Sequence, residues 1–368
     1  MPLARSRRSR RSLAPRPERS PAPAAARAPE VARLRRSTPG TGGYTRHRAG
    51  TGFSYRGANG HRITNTATLE RLRSLAVPPA WTDVWIAADA RAHIQATGVD
   101  AAGRTQYLYH PQWRARRDAE KYERALSFAA ALPALRRQVT RDLRPSGGTG
   151  TAAHGRANRE GTGRRRALAA AVRLMDRAAL RIGGSEHTGQ LEAFGATTLQ
   201  RRHVDVHAPH VHLVFRGKSG SEWDVTVKDP DLADFFDGIP ATPRTAPAVA
   251  YPVTSGRRRE WKGVTAADVN DYLTDLAGLE FTAKDFRTWQ GTVAAARSLA
   301  RSHRAGVSGP EAVTIAVQAS ADLLHNTPTV ARESYVDPRV VDLFERGRVM
   351  DLDRQPDRAL LRLLTGRD

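Results

Sequence analysis

The chain has 368 residues, no cysteine, 40% hydrophobic residues, and 59 lysines and arginines against 37 acidic residues, for a formal net charge of +22. The length accommodates two domain-sized cores, and the missing cysteine excludes disulfides, cysteine nucleophiles and cysteine-ligated zinc or iron–sulfur sites. The surplus is mostly arginine, whose planar guanidinium matches phosphate oxygens, and it points to a polyanionic partner, of which nucleic acid is the commonest; an arginine- and alanine-biased composition would give the same surplus without one.

Residues 1–40 are rich in Arg, Pro, Ala and Ser with few apolar anchors and read as a disordered basic arm, because such a segment cannot bury enough surface to offset its ordering entropy. Its arginines (Arg7, Arg8, Arg10, Arg11) are not followed by the apolar core of a signal peptide. No apolar run in the chain reaches the roughly 18 residues of a membrane span, so no membrane partner is expected. From Tyr44 to Trp113 glycines and aromatics alternate with short apolar runs: Gly52-Phe53-Ser54-Tyr55, Trp81 to Ile86, Ile94 to Gly98 and Gln106 to Tyr109. This is the pattern of short strands joined by glycine turns, interrupted by one helix over Ala67–Leu75 before Pro78-Pro79.

From Asp118 the spacing turns helical. Tyr122, Leu126 and Ala129 share a face that runs to Leu132, and Pro133 opens a second helix with Leu135, Val139 and Leu143 on one side. Residues 145–160 read as a loop. Leu168, Val172, Met175, Ala179 and Ile182 mark an amphipathic helix closed by Gly183-Gly184. Val211, Leu213 and Phe215 then alternate toward Gly217, Val225 and Val227 resume the alternation, and Gly217-Lys218-Ser219-Gly220 forms a hairpin tip. A proline-rich connection over 240–252 leads to helices at 266–276, 282–300 and 310–324. The charged tail beyond Val340 carries Leu360, Leu361, Leu363 and Leu364 as a docking stripe. The whole reads as an α+β chain: a disordered arm (1–40), a small β-rich N-terminal domain (41–115), a larger mainly α-helical domain with a β-hairpin (116–347) and a helical tail (348–368).

Cleaving a DNA strand without a metal requires a nucleophile, cations on the non-bridging oxygens, an acid for the leaving oxygen and a means of holding the duplex. A tyrosine hydroxyl, with a free pKa of about 10, needs nearby positive charge to serve as the nucleophile. An arginine stays charged and can bridge two phosphate oxygens, and a lysine on a hairpin tip can reach a groove and deliver a proton. The chain offers Arg181 at a helix end, Lys218 at the hairpin tip, Arg287 in Lys284-Asp285-Phe286-Arg287-Thr288-Trp289, Asn326 in His325-Asn326-Thr327-Pro328, and Tyr335 in Ser334-Tyr335-Val336-Asp337-Pro338. Spacing alone does not select these five from so many arginines.

The order of these parts, with a tyrosine nine residues after the asparagine, resembles the catalytic domain of type IB DNA topoisomerases, closest to the bacterial and poxvirus-like branch. The resemblance covers roughly residues 44 to 345, because Val77-Pro78-Pro79-Ala80-Trp81, Ile94-Gln95-Ala96-Thr97-Gly98 and Gln106-Tyr107-Leu108-Tyr109-His110-Pro111 look like that branch's N-terminal domain. It implies that Tyr335 attacks the scissile phosphate to give a 3′-phosphotyrosyl enzyme and a free 5′-hydroxyl. It implies that Arg181 and Arg287 stabilise the transition state and that Lys218 protonates the 5′-oxygen with help from Arg181. Many family members carry histidine where this chain has Asn326, a change common among bacterial members; asparagine still donates a hydrogen bond but carries no charge. One phosphodiester is exchanged for another, so neither ATP, metal nor other cofactor is called for. By the same resemblance Gln106, Tyr107 and Tyr109 lie on strands facing DNA, and Arg114, with Arg116 and Arg117, marks a hinge with phosphate contacts. A monomer would clamp the duplex, in the cytoplasm on the nucleoid.

Each of these residues also has a plainer reading. A lone tyrosine is more often buried or capping, a turn lysine solvated, and Arg181 and Arg287 partners of Asp176 or Asp285. Gly217-Lys218-Ser219 lacks the earlier glycine of a phosphate-binding P-loop, because His212 stands there. His203, His207, His210 and His212 lack the helical spacing or cysteines of a metal site, and Trp81, Trp85, Trp223 and Trp289 fit a core better than base-stacking platforms. The rival activities are a tyrosine recombinase, which shares the Arg–Lys–Arg–Tyr logic, and a nucleoid-binding protein without cleavage.

Overall fold

A computed structural model describes residues 33–145, 156–184, 193–241, 243–255, 257–278 and 281–366. The chain divides into two compact units, residues 1–116 and 117–368. Among the described residues no helix is long and apolar enough to cross a membrane.

The first unit is an antiparallel sheet of β1 (Tyr44–Ala49), β2 (Gly52–Gly57), β3 (Thr82–Ile86), β4 (Ile94–Val99) and β5 (Thr105–Tyr109), in the order β2-β1-β3-β4-β5. The helix α1 (Thr66–Ser74) starts where Asn65 caps it by accepting from the Thr68 N–H. Its Leu72 packs with Tyr55, Val77, Val84, Ile86 and Ala96 in a core of its own. Residues 33–40, read from sequence as part of the arm, are instead tied to this unit. Arg35 exchanges backbone hydrogen bonds with Arg91 and His93 at 2.9 Å, and Ser37 Oγ donates to the Ile94 carbonyl at 3.1 Å. These backbone and side-chain bonds offset an ordering cost that composition alone leaves unmatched. The rest of the arm, 1–32, lies outside the described residues, as does the part of the 145–160 loop from 146 to 155.

The unit boundary falls inside α2 (Pro111–Leu143), a single helix that contains Pro133 rather than a helix pair divided by it. An interior proline costs about 3 kcal/mol. Here Pro133 sits on the exposed face while Phe128, Leu132, Leu135 and Val139 make one buried stripe across it. Burial of four such side chains at roughly 1.5–3 kcal/mol each outweighs the cost.

In the second unit α3 (Arg156–Ala178) is the central element, with residues 167–175 buried on every side, as expected of a helix surrounded by others. The one charge in that run, Arg173, faces Asp229 at 3.4 Å. The helix stops at Ala178, four residues before the expected end. Ala179 turns left-handed (φ 53°) and releases the chain, and the predicted stripe positions Ala179 and Ile182 belong to the segment after it. Strands β6 (Val204–His207), β7 (His210–Arg216) and β8 (Glu222–Lys228) form an antiparallel meander, with Lys218–Gly220 as a 3-10 turn at the expected tip. A short helix α4 (Pro230–Asp237), capped by Asp229, and a two-stranded pair β9 (Ala250–Ser255) and β10 (Arg258–Gly263) follow. The strand pair begins inside the expected proline-rich connection. Pro252 is accommodated because each strand has only one neighbour, so a missing N–H need not break a ladder.

The remaining helices are α5 (Ala266–Ala277), α6 (Ala283–Arg304), α7 (Gly309–Leu324), α8 (Pro328–Ser334), α9 (Pro338–Glu345) and α10 (Pro356–Thr365). The tail beyond 347 joins the same core, with Leu360 fully buried. It is also fastened by Asp357, which accepts from Arg136 Nη1 at 2.6 Å and from Trp289 Nε1 at 2.8 Å.

Candidate active site

The helices α3 and α7 both end on a non-glycine residue in the left-handed conformation, Ala179 (φ 53°) and His325 (φ 48°). Each turn swings the following residues across the helix end, bringing Arg181 and Asn326 toward each other. Helix C-termini leave carbonyls without partners and carry partial negative charge. Arg287, from the second turn of α6, meets both ends. Its Nη1 donates to the Ala179 carbonyl and its Nη2 to the Leu324 carbonyl at 2.8 Å. The residue is only 3% exposed, and burial, then the neighbouring Arg181, lowers its pKa to about 10. It is still a cation at neutral pH.

Tyr335 follows α8 and is 7% exposed. Its ring centroid lies 5.2 Å from Arg287 Cζ, and its hydroxyl accepts from Arg181 Nη1 at 3.4 Å. Burial alone would raise the phenol pKa, but Arg287 and then Arg181 outweigh it and bring it below the ordinary tyrosine value. The backbone around the tyrosine is fixed from two sides. Thr292 Oγ1 lies 2.8 Å from the Tyr335 carbonyl and accepts the Asp337 N–H at 3.2 Å, while the Tyr122 hydroxyl donates to the Val336 carbonyl at 2.7 Å. Gly291 of α6 lets Tyr335 approach. A Cβ there would stand 2.9 Å from Leu324 Cδ1 and 3.0 Å from Tyr335 Cβ.

Arg181 Nη2 donates to Asn326 Oδ1 at 2.7 Å. Arginine has no acceptor, so the amide oxygen must face it, which leaves Asn326 Nδ2 buried without a protein partner. The segment bearing Arg181 is itself pinned, since Ala196 and Thr197 donate their N–H groups to the Arg181 and Ile182 carbonyls at 2.8 Å. Arg181, Lys218, Lys284, Arg287 and Tyr335 line one open cavity of about 530 Å³.

Four of the five residues picked from sequence thus meet directly, and Lys218 reaches the same cavity from the turn between β7 and β8. Lys284 was missed as a lining residue. It precedes Arg287 by three positions in α6 and so shares its face, which is the signal that marks it. Thr292 and Gly291 act through the backbone and leave no chemical trace in the sequence. His325 does not face the cavity. Its ring stacks on Trp223 at 3.9 Å. Among the other histidines, His207 pairs with Asp205 and His212 with Asp224, and His203 is buried against Phe194.

In the first unit Tyr107 and Tyr109 are 46% and 37% exposed and stack on the same face of β5, their centroids 6.1 Å apart. Gln106 does not join them. Strand alternation sends it to the opposite face, where its Nε2 donates to Asp100 at 2.8 Å. Arg114 is exposed near the start of α2.

The family model described as "Eukaryotic DNA topoisomerase I, catalytic core" matches residues 110–342, and that described as "Bacterial DNA topoisomerase IB, N-terminal domain" matches residues 52–100. A curated relative, DNA topoisomerase 1B of Acanthamoeba polyphaga mimivirus, is 26% identical over 327 residues, covering 86% of this chain and 91% of that protein.

Proposed function

We infer the reaction from one premise: the chain belongs to the type IB DNA topoisomerase family, isomerases whose substrate is DNA. Tyr335 is the nucleophile. Its phenolate oxygen attacks the scissile phosphorus, the bond from phosphorus to the 5′-oxygen breaks, and the Lys218 ammonium supplies the proton that the departing 5′-oxygen takes up. The products are a 3′-phosphotyrosyl link and a free 5′-hydroxyl, which rotates about the intact strand and then reverses the step. Arg181 and Arg287 hold the charge of the pentacoordinate phosphate, and their pull on the phenol favours its ionised, nucleophilic form.

Asn326 takes the place that many relatives give to histidine. Its buried Nδ2 has no protein partner, so it is available to donate to a non-bridging oxygen. The exchange of one phosphodiester for another needs no ATP. Tyr107, Tyr109 and Arg114 contact the duplex along its backbone, whereas Gln106 reads a base edge only if it leaves Asp100. The enzyme works as a monomer on the nucleoid.

The observation carrying this reading is the convergence on one phenol of two arginines from separate elements, Arg181 from the segment after α3 and the buried Arg287 from α6. The match of residues 52–100 to a bacterial topoisomerase IB domain favours relaxation over recombination. The test is plasmid relaxation without ATP and in EDTA, with the covalent adduct trapped and its peptide mapped. Tyr335→Phe should lose relaxation and adduct while keeping DNA binding. An adduct that persists in this variant overturns the assignment.

A further inference from the structure

Lys218 stands on an exposed three-residue turn, yet the proposed chemistry needs its ammonium at one oxygen atom. Something must hold the turn. Beside it stand three stacked rings: Phe215 and Trp223 pack nearly parallel at 5.5 Å and 11°, and His325 stacks on Trp223 at 3.9 Å and 24°. His325 also hydrogen-bonds the Glu222 backbone, where β8 begins opposite Arg216 of β7. The base of the turn is drawn tight onto the same indole. Gly217 donates to the Ser221 carbonyl at 2.7 Å, and a Cβ on Gly217 would sit 2.5 Å from Trp223 Nε1.

His325 is itself placed by the active site. It is the left-handed residue that ends α7, its neighbour Leu324 is held through its carbonyl by Arg287, and its other neighbour, Asn326, is held by Arg181. A histidine in that conformation is strained relative to glycine, so the ring is kept there at a cost that a bare turn would avoid.

We propose that His325 is a positioning residue that locks the Lys218 turn, through Trp223, to the loop carrying Asn326. The proposal rests on Lys218 being the acid for the 5′-oxygen. Loss of the ring should leave Tyr335, Arg181 and Arg287 in place but let Lys218 wander from the leaving group.

The test compares single-turnover cleavage of two duplexes, one with the normal 5′-bridging oxygen and one with sulfur at that atom. A thiolate leaves without a proton and needs no acid. His325→Gly removes the ring while relieving the backbone. On the oxygen duplex it should cleave about 10- to 100-fold more slowly, the range that ångström-scale misplacement of a catalytic group costs. It should match wild type on the sulfur duplex and in DNA affinity. His325→Phe, which retains a stacking ring, should recover most of the oxygen rate. Equal loss on both duplexes, or no loss on either, overturns the proposal. Lys218→Ala is the control. If sulfur rescues it but not His325→Gly, the positioning role alone falls; if sulfur does not rescue Lys218→Ala, the acid assignment falls and the inference with it.

Discussion

Replacing Arg287 with glutamine separates its two roles. The guanidinium closes the C-termini of α3 and α7 through the Ala179 and Leu324 carbonyls, and hydrogen bonds from a charged donor contribute about 1.5–3 kcal/mol each. Glutamine can keep at most one of them, so the loss is about 1.5–3 kcal/mol of stability, or roughly a 3–12 °C fall in melting temperature for a unit of this size. The electrostatic role is larger. A buried cation about 5 Å from the phenol contributes about 3 kcal/mol at an effective dielectric near 20, and loss of one preorganised donor at a phosphate costs about 10²–10³ in rate. Adduct formation should therefore slow by about 100- to 1000-fold at a temperature where the variant is folded. The pH profile gives the sign. Arg287 lowers the Tyr335 pKa, so removing it raises that pKa and moves the alkaline inflection of adduct formation to higher pH. The assay is single-turnover adduct formation from pH 6 to 10, with circular dichroism as the folding check. A folded variant whose inflection is unmoved, and whose rate is within roughly threefold of wild type, would refute the assignment of charge stabilisation to Arg287.

Gly291→Ala should lower stability by about 1–3 kcal/mol, the usual cost of overpacking, and displace Tyr335, since its new methyl meets Leu324, Ser320 and Tyr335 at 2.9–3.0 Å; calorimetry beside a relaxation assay reads both effects. Asp357 is pushed up by burial but pulled further down by Arg136, so its pKa lies below the ordinary carboxylate value. The stability it provides is complete above the unfolded value of about 3.9 and is lost as pH falls through the lowered one. Asp357→Asn should thus melt about 1–3 kcal/mol less stably at neutral pH and show a shallower acid limb, measured by melts from pH 2 to 7. DNA affinity should fall steeply with salt, each phosphate contact adding about 0.9 to the slope of log affinity against log salt; a flat titration would contradict a binding surface built on arginine.

The elements most legible in the sequence were those with strong periodicity and clean punctuation. The β5 strand, α5 to α7 and the Lys218 turn stand where alternation, helical spacing and glycine put them. Less legible were features on which two local rules compete. Pro133 marks a helix start by its own chemistry but is carried through α2 by the buried stripe on either side. The β9–β10 pair is hidden because its proline breaks the strand signal at Pro252. Gln106 was grouped with Tyr107 and Tyr109 although strand alternation, a sequence-level rule, already separates it from them.

For the site, the sequence by itself determined the chemical inventory: a tyrosine, two arginines, a lysine on a turn and an asparagine, in an order that resembles one family, with a charge suited to DNA. It could not select those residues by spacing, because residues 181, 218, 287, 326 and 335 lie on separate elements and no local rule joins them. The tertiary structure decided that Arg287 is buried between two helix ends, where low dielectric strengthens its pull on Tyr335. It also decided that His325, adjacent in sequence to the site asparagine, turns away to Trp223. Both follow from the left-handed endings of α3 and α7, which only the packing of those helices against α6 makes affordable.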